Sequence, residues 1–296
     1  MKHNYLNNKD ILKEIHKSKN TYCSYLAKED ADYDMILPDI KKINKKNTLE
    51  ARRNRADRLA KLAHEKAMAE DGVKRKLDEF EVKLRDVADT DVVFRVMTWD
   101  HIPIDTSKKK PKNAKVPLLF EDEEPHSEYD DLEIDNDKPT KYMKVNFPPF
   151  QHFKLNNEGE PYCVGKSHWQ GDLDTGCFSR DHGAMTPKLA HMFLKLCERY
   201  AMRSNWRGYT YNDEMRSQAL LQLSQIGLQF DESKSQNPFA YYTAAITNSF
   251  TRVLNIEKRN QNLRDDILEM NGLTPSFTRQ AQGSWGGGGG STSYEE

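Results

Sequence analysis

Between Thr186 and Arg264 the chain carries an almost unbroken 3.6-residue apolar period, and this constrains its fold more than any other feature. Thr186 is placed to cap a helix and Pro187 to occupy its first position. Leu189, Phe193, Leu196 and Tyr200 then form one stripe. A second helix is expected from about Tyr211 to Leu228, with Met215, Leu220, Leu223 and Ile226 apolar. After a polar turn over Phe230 to Gln236, a third helix opens at Pro238 and runs to about Arg259 or beyond. Three closely joined helices of this kind predict a small α-helical domain.

The rest of the chain is less uniform. Asn8 can cap a short helix from about Lys9 to His16, with Ile11, Leu12 and Ile15 on one face. From Leu49 to Ala88 there is no Pro, and Leu59, Leu62, Ala69, Val73, Leu77, Phe80, Leu84 and Val87 recur at helical steps. That run predicts a long amphipathic helix, or a helical hairpin broken at Gly72. Val92 to Trp99 is β-branched and aromatic and reads as a strand, with another expected at Val116 to Phe120. Glu121 to Pro139 is acidic and reads as a loop; Lys141 to Gly183 suggests short strands and turns. The predicted fold class is therefore mainly α, with a long-helix and small β-containing insertion. Its segments are 1–30, 31–90, 91–185, 186–264 and a flexible Gly-rich tail over 265–296.

Charge is unevenly spread over the 296 residues. The net is only −1, yet Thr186 to Arg264 holds 11 Lys/Arg against 6 Asp/Glu, and Glu121 to Asp137 holds 10 Asp/Glu and no Lys/Arg. The neutral total hides a basic end and an acidic middle. Four scattered cysteines in a highly charged chain fit a reducing compartment, and no apolar window is long enough to span a bilayer. The expected location is the cytoplasm.

Few motifs point to bond chemistry. Gly165-Lys166-Ser167 resembles the end of a phosphate-binding loop, but position 160 is Glu where the pattern needs Gly. Cys163/His168 and Cys177/His182 repeat one spacing and could supply four zinc ligands, although the usual knuckle spacings are absent. Ordinary core or surface roles are the default for all four, so no metal and no cofactor is expected. His101, His152 and His191 have no evident nucleophile or carboxylate partner in sequence. The run from Asn237 to Arg252 sets aromatics ahead of cations. Such a helix can stack on unpaired bases and hold phosphates. Phe239, Tyr241 and Tyr242 taken alone are by default core aromatics.

Several strings carry a family resemblance. They are Asn4-Tyr5-Leu6-Asn7-Asn8-Lys9-Asp10-Ile11-Leu12, Gly208-Tyr209-Thr210, Asp213-Glu214-Met215, Gln229-Phe230-Asp231-Glu232 and Asn237-Pro238-Phe239-Ala240-Tyr241. Together they resemble region 2 of bacterial sigma factors, and more narrowly the late-transcription sigma factors of T-even-like phages in their cyanophage-type form. The resemblance covers about the first 26 residues and Thr186 to Arg264; the segment between reads as an insertion.

The resemblance implies a sigma factor and not an enzyme. It would bind host RNA polymerase core through the clamp helices of the largest subunits, direct it to AT-rich late promoters and aid melting. Asp213, Glu214 and Gln218 fall at the polymerase-binding positions. Tyr242 falls on the aromatic that stacks against a flipped base, and Ser249 where the family places a Gln that helps read the base pair above the melt. Phe239, Tyr241, Arg252, Lys258 and Arg259 complete the implied DNA-binding group. Ala245 and Ile246 stand where primary sigma factors carry a Trp pair, and no helix-turn-helix follows. A phage sliding clamp, met by a tail remnant at Tyr294-Glu-Glu, and a co-activator are further implied partners. The competing readings are a polymerase-binding adaptor without promoter recognition and a virion structural or scaffold protein.

Overall fold

The computed structural model describes residues 7–71, 76–105 and 142–286. The expected strand at 116–120, the acidic loop and the tail at Tyr294-Glu-Glu lie outside them. The chain is mainly α with a small mixed sheet. It divides into two compact units, one comprising Met1–Phe193 and Ser224–Tyr242, the other Leu194–Leu223 and Thr243–Glu296.

The first unit is built on a five-stranded sheet. Its strands are β1 (Cys23–Tyr25), β2 (Met35–Leu37), β3 (Phe94–Met97), β4 (Phe150–Leu155) and β5 (Pro161–Ser167), in the order β1-β5-β4-β3-β2. Only the β2–β3 pair is parallel. A separate two-stranded ribbon joins β6 (Trp169–Gln170) to β7 (Cys177–Phe178). β1 and β2 come from a stretch that shows no strand pattern in sequence. Three residues are too few to display a period of two. β1 also ties the end of the predicted 1–30 segment into a sheet made largely from the predicted insertion.

Helix α1 (Asn8–Asn20) runs one turn past the predicted stop, and α2 (Lys45–Asp71) starts before the predicted one. α2 packs on β2 and β3 through Ala51 and Ala56, in a core with Leu37, Phe94, Val96, Phe153 and Leu155. This overturns the predicted stripe. Leu59 and Leu62 are exposed, because the sheet accepts the helix on its small side chains, which let the two backbones approach. Residues 76–91 form three short 3-10 turns instead of continuing the helix or supplying the second arm of a hairpin.

The second unit takes most of α3 (Pro187–Ala201), α4 (Asn212–Ile226) and α5 (Pro238–Met270), followed by α6 (Phe277–Gly286). Its core sets Tyr200 and Trp206 edge-on to Phe250 at 5.1 and 5.4 Å. The Tyr200 hydroxyl lies 2.7 Å from Thr247 Oγ1. Asn212 Nδ2 donates to the Ala201 and Trp206 carbonyls, closing the turn between α3 and α4. The region predicted as a flexible tail from 265 contains the end of α5 and all of α6 among its described residues.

Candidate functional site

The expected polymerase-binding residues stand at the start of α4. Asp213 and Glu214 are exposed in its first turn, and Gln218 is half-buried one turn on. Acids there also suit the positive end of the helix dipole, so a purely local role is available to them. Asp213 is 3.3 Å from Arg216 on the same helix, and both ends of that pair are exposed. An exposed i,i+3 pair adds at most a few tenths of a kcal/mol, roughly, leaving Glu214 the stronger candidate for an external partner.

The DNA-binding set on α5 separates into inside and outside. Arg252, Lys258 and Arg259 are exposed. Phe239 and Tyr241 are half-buried; the Phe239 amide donates to Asn8 Oδ1 at 3.1 Å, and the Tyr241 ring lies 5.5 Å from Phe230. Tyr242 is a core residue, which corrects the stacking role expected of it. Its ring is fully buried edge-on to Phe193 at 4.7 Å, and its hydroxyl donates to the Gly227 carbonyl at 2.6 Å. Ser249 is also buried, with its hydroxyl donating to the Ala245 carbonyl, so it faces no base. Both corrections have one cause. Tyr242, Ala245, Ile246, Ser249, Phe250 and Val253 recur at three- and four-residue steps and form the buried stripe of α5.

The Cys/His quartet does not converge. Cys163 sits in β5 with its thiol toward the Gly165 carbonyl, while Cys177 is exposed on β7. His168 lies against Phe147 at 4.1 Å and His182 edge-on to Tyr22 at 5.8 Å. Among the described residues no group of three or more His, Cys, Asp or Glu is placed to hold a metal ion. Gly165-Lys166-Ser167 is part of β5; Ser167 Oγ accepts from the Phe150 amide and Lys166 Nζ donates to the Leu173 carbonyl.

What sequence reading missed is a buried ionic network in the first unit, centred on Arg95 of β3. The guanidinium lies 3.9 Å from the ring centres of both Tyr33 and Phe150. Nη1 donates to Glu232 Oε2 at 2.9 Å and Nε to His152 Nε2 at 3.0 Å, while Nη2 lies 3.1 Å from His16 Nδ1. Lys19 is buried beside it, donating to the Phe230 carbonyl at 2.7 Å and pairing with Glu232 Oε1 at 3.4 Å. The network therefore holds the Phe230-Asp231-Glu232 turn, one of the strings of the family resemblance, against α1.

Because a guanidinium can only donate, it settles both imidazole tautomers. His152 accepts at Nε2 and donates from Nδ1–H to the Asp30 carbonyl at 2.6 Å. His16 accepts at Nδ1, which puts its proton on Nε2, 3.4 Å from Asp32 Oδ1. Burial first, then Arg95, pulls the His152 pKa well down; burial also lowers that of His16 against the pull of Asp32. For Glu232 burial opposes the charge, but Lys19 and Arg95 outweigh it and its pKa falls. A cleft of about 550 Å³ is lined by Leu12, Tyr33, Asp34, Glu232, Ser233 and Gln236, among others. Its two carboxylates are committed, Glu232 as above and Asp34 to Arg55 and Arg58 at 3.3 and 2.6 Å. Neither is placed as an unpartnered base.

These shifts predict an acid-sensitive first unit. Burial lowers the His101 pKa to about 4 and that of His168 to about 3, alongside the lowered His16 and His152. All four stay neutral in the folded chain while the unfolded chain takes up protons near the ordinary value of about 6.5. The unfolded state then binds more protons, so stability falls as pH drops from about 6.5 toward 4. The lowered carboxyls of Glu232 and Asp32 extend the loss below their ordinary values. Thermal midpoints measured across this range should fall steadily. A flat profile would show that these histidines protonate freely when folded.

No family model, no curated protein and no solved structure matches the chain.

Proposed function

We propose that the chain is a sigma-type initiation factor of a phage that binds host RNA polymerase core and directs it to AT-rich late promoters. The reading rests on the sigma-like strings. The observation that carries it is one arrangement in the second unit: exposed Asp213 and Glu214 opening α4, and exposed Arg252, Lys258 and Arg259 along α5. Acids at a helix start suit a basic polymerase surface, and a row of cations on a helix suits phosphates. With Tyr242 internal, DNA engagement in this conformation falls to the cations. AT-rich steps then contribute through their ease of unstacking. The polymerase supplies all bond chemistry, and the factor itself is no enzyme.

A second reading, a polymerase-binding adaptor that does not touch the promoter, is favoured by the burial of Tyr242 and Ser249. Run-off transcription with host core polymerase on late phage DNA separates the two. Promoter-dependent transcripts support the sigma reading; co-purification with core without them supports the adaptor. Glu214→Lys should weaken core binding by tenfold or more, roughly, since like charges across an interface cost several kcal/mol. Unchanged pull-down would remove α4 as the interface. Arg252→Ala should leave core binding intact, weaken DNA binding across all sequences and flatten its salt dependence by about one phosphate contact.

A further inference from the structure

The distal half of α5 turns its apolar side chains outward. Ile256, Leu263, Ile267 and Met270 are 44, 59, 51 and 86% exposed. At about 100° per residue they fall, together with Asn260, within an arc of roughly 80°. The opposite face is occupied. There Asp265 accepts from the Ser276 amide and hydroxyl at 2.8 and 2.7 Å, and Arg279 pairs with Glu269 at 3.0 Å and, on the flank of the apolar arc, with Asp266 at 2.6 Å. The helix thus changes character along its length, burying its stripe from Tyr242 to Val253 and displaying it beyond.

The spacing of that stripe is specific. Beyond the buried Val253, Ile256, Asn260, Leu263, Ile267 and Met270 step by four, three, four and three residues, the alternation of a coiled-coil seam. Asn260 and Ile267 take the a positions, and Ile256, Leu263 and Met270 the d positions. We propose that this face is a self-association surface, on which distal α5 of a second copy of this chain docks in parallel.

The residue types select that occupant. Ile at a with Leu at d favours two parallel strands, and a single Asn at an a position specifies register and a two-stranded state. Asn260, whose Nδ2 donates to Glu257 Oε1 at 3.3 Å within its own helix, would turn to meet its own copy across the seam. Charges at the seam edge partly agree. Arg252 at a g position faces Glu257 at the e position of the second copy, an attractive pair. Arg259 and Arg264 meet as like charges in the same alignment, so the association is weak and concentration-dependent.

Sedimentation velocity on the full chain tests it over a roughly hundredfold range of concentration, centred on micromolar affinity. The mass should rise from 34.4 kDa toward twice that value. Leu263→Glu with Ile267→Glu should stay monomeric throughout and keep its helical circular dichroism, because both side chains are exposed in the single chain. Asn260→Ile should associate at lower concentration and pass beyond dimers, as loss of the seam Asn relaxes the oligomeric state. A parent chain that remains monomeric at the highest concentration overturns the proposal. So does a double Glu variant that dimerises as the parent does.

Discussion

Arg95→Ala is expected to cost the first unit about 3–5 kcal/mol, the penalty for breaking a buried charge pair by removing one partner. The side chain is 1% exposed, and three groups depend on it. Glu232 would keep only Lys19, two imidazoles would lose the donor that sets their tautomers, and two rings would face a void. Against a typical domain stability of about 5–15 kcal/mol this is a large fraction. Denaturant unfolding should show a lower midpoint, and in the surviving folded protein the His152 pKa, held down by burial first and by Arg95 second, should rise part of the way toward its ordinary value. Arg95→Met should recover part of the loss, because its side chain refills the space between the Tyr33 and Phe150 rings while Lys19 still neutralises Glu232. A loss under about 1 kcal/mol for Arg95→Ala would mean that water reaches the site and the network is not sealed.

The second large effect concerns Tyr242. Tyr242→Ala removes a fully buried aromatic and should cost about 3–5 kcal/mol. Tyr242→Phe keeps the ring but strands the Gly227 carbonyl, which should cost about 1–3 kcal/mol. The two variants also arbitrate function. If Tyr242 acts only in packing, promoter opening and core binding should decline together, in step with the folded fraction. A Tyr242→Ala protein that melts like the parent yet fails to open promoters would mean that the ring leaves its pocket to stack on a base. Permanganate footprinting beside a melting curve distinguishes these outcomes.

How much was legible in the sequence depended on how local the cause was. Thr186 Oγ1 accepts from the Leu189 amide, and Asn237 Oδ1 from the Ala240 amide. Such caps act within one turn, so the starts of α3 and α5 could be read directly from Thr186-Pro187 and Asn237-Pro238. Taken alone, Tyr242 already read as a core aromatic; the family resemblance pulled that residue toward the surface, and packing puts it in the core.

Other features needed the tertiary structure. β1 and β2 are strands only because β5 and β3 pair with them. α2 buries Ala51 and Ala56 and leaves Leu59 and Leu62 in water, a choice made by the sheet beneath it. Most of all, an arginine in a strand reads as a solvent-facing residue. Arg95 is internal because α1 brings His16 and Lys19 to its face of the sheet, and the turn before α5 brings Glu232 from far along the chain. The sequence by itself determined where α3 and α5 start and where charge accumulates, since each follows from neighbours within a few residues. Tertiary structure alone decided which stripes were covered and which charges were paired, because the free energy of burying an ion depends on partners that only folding supplies.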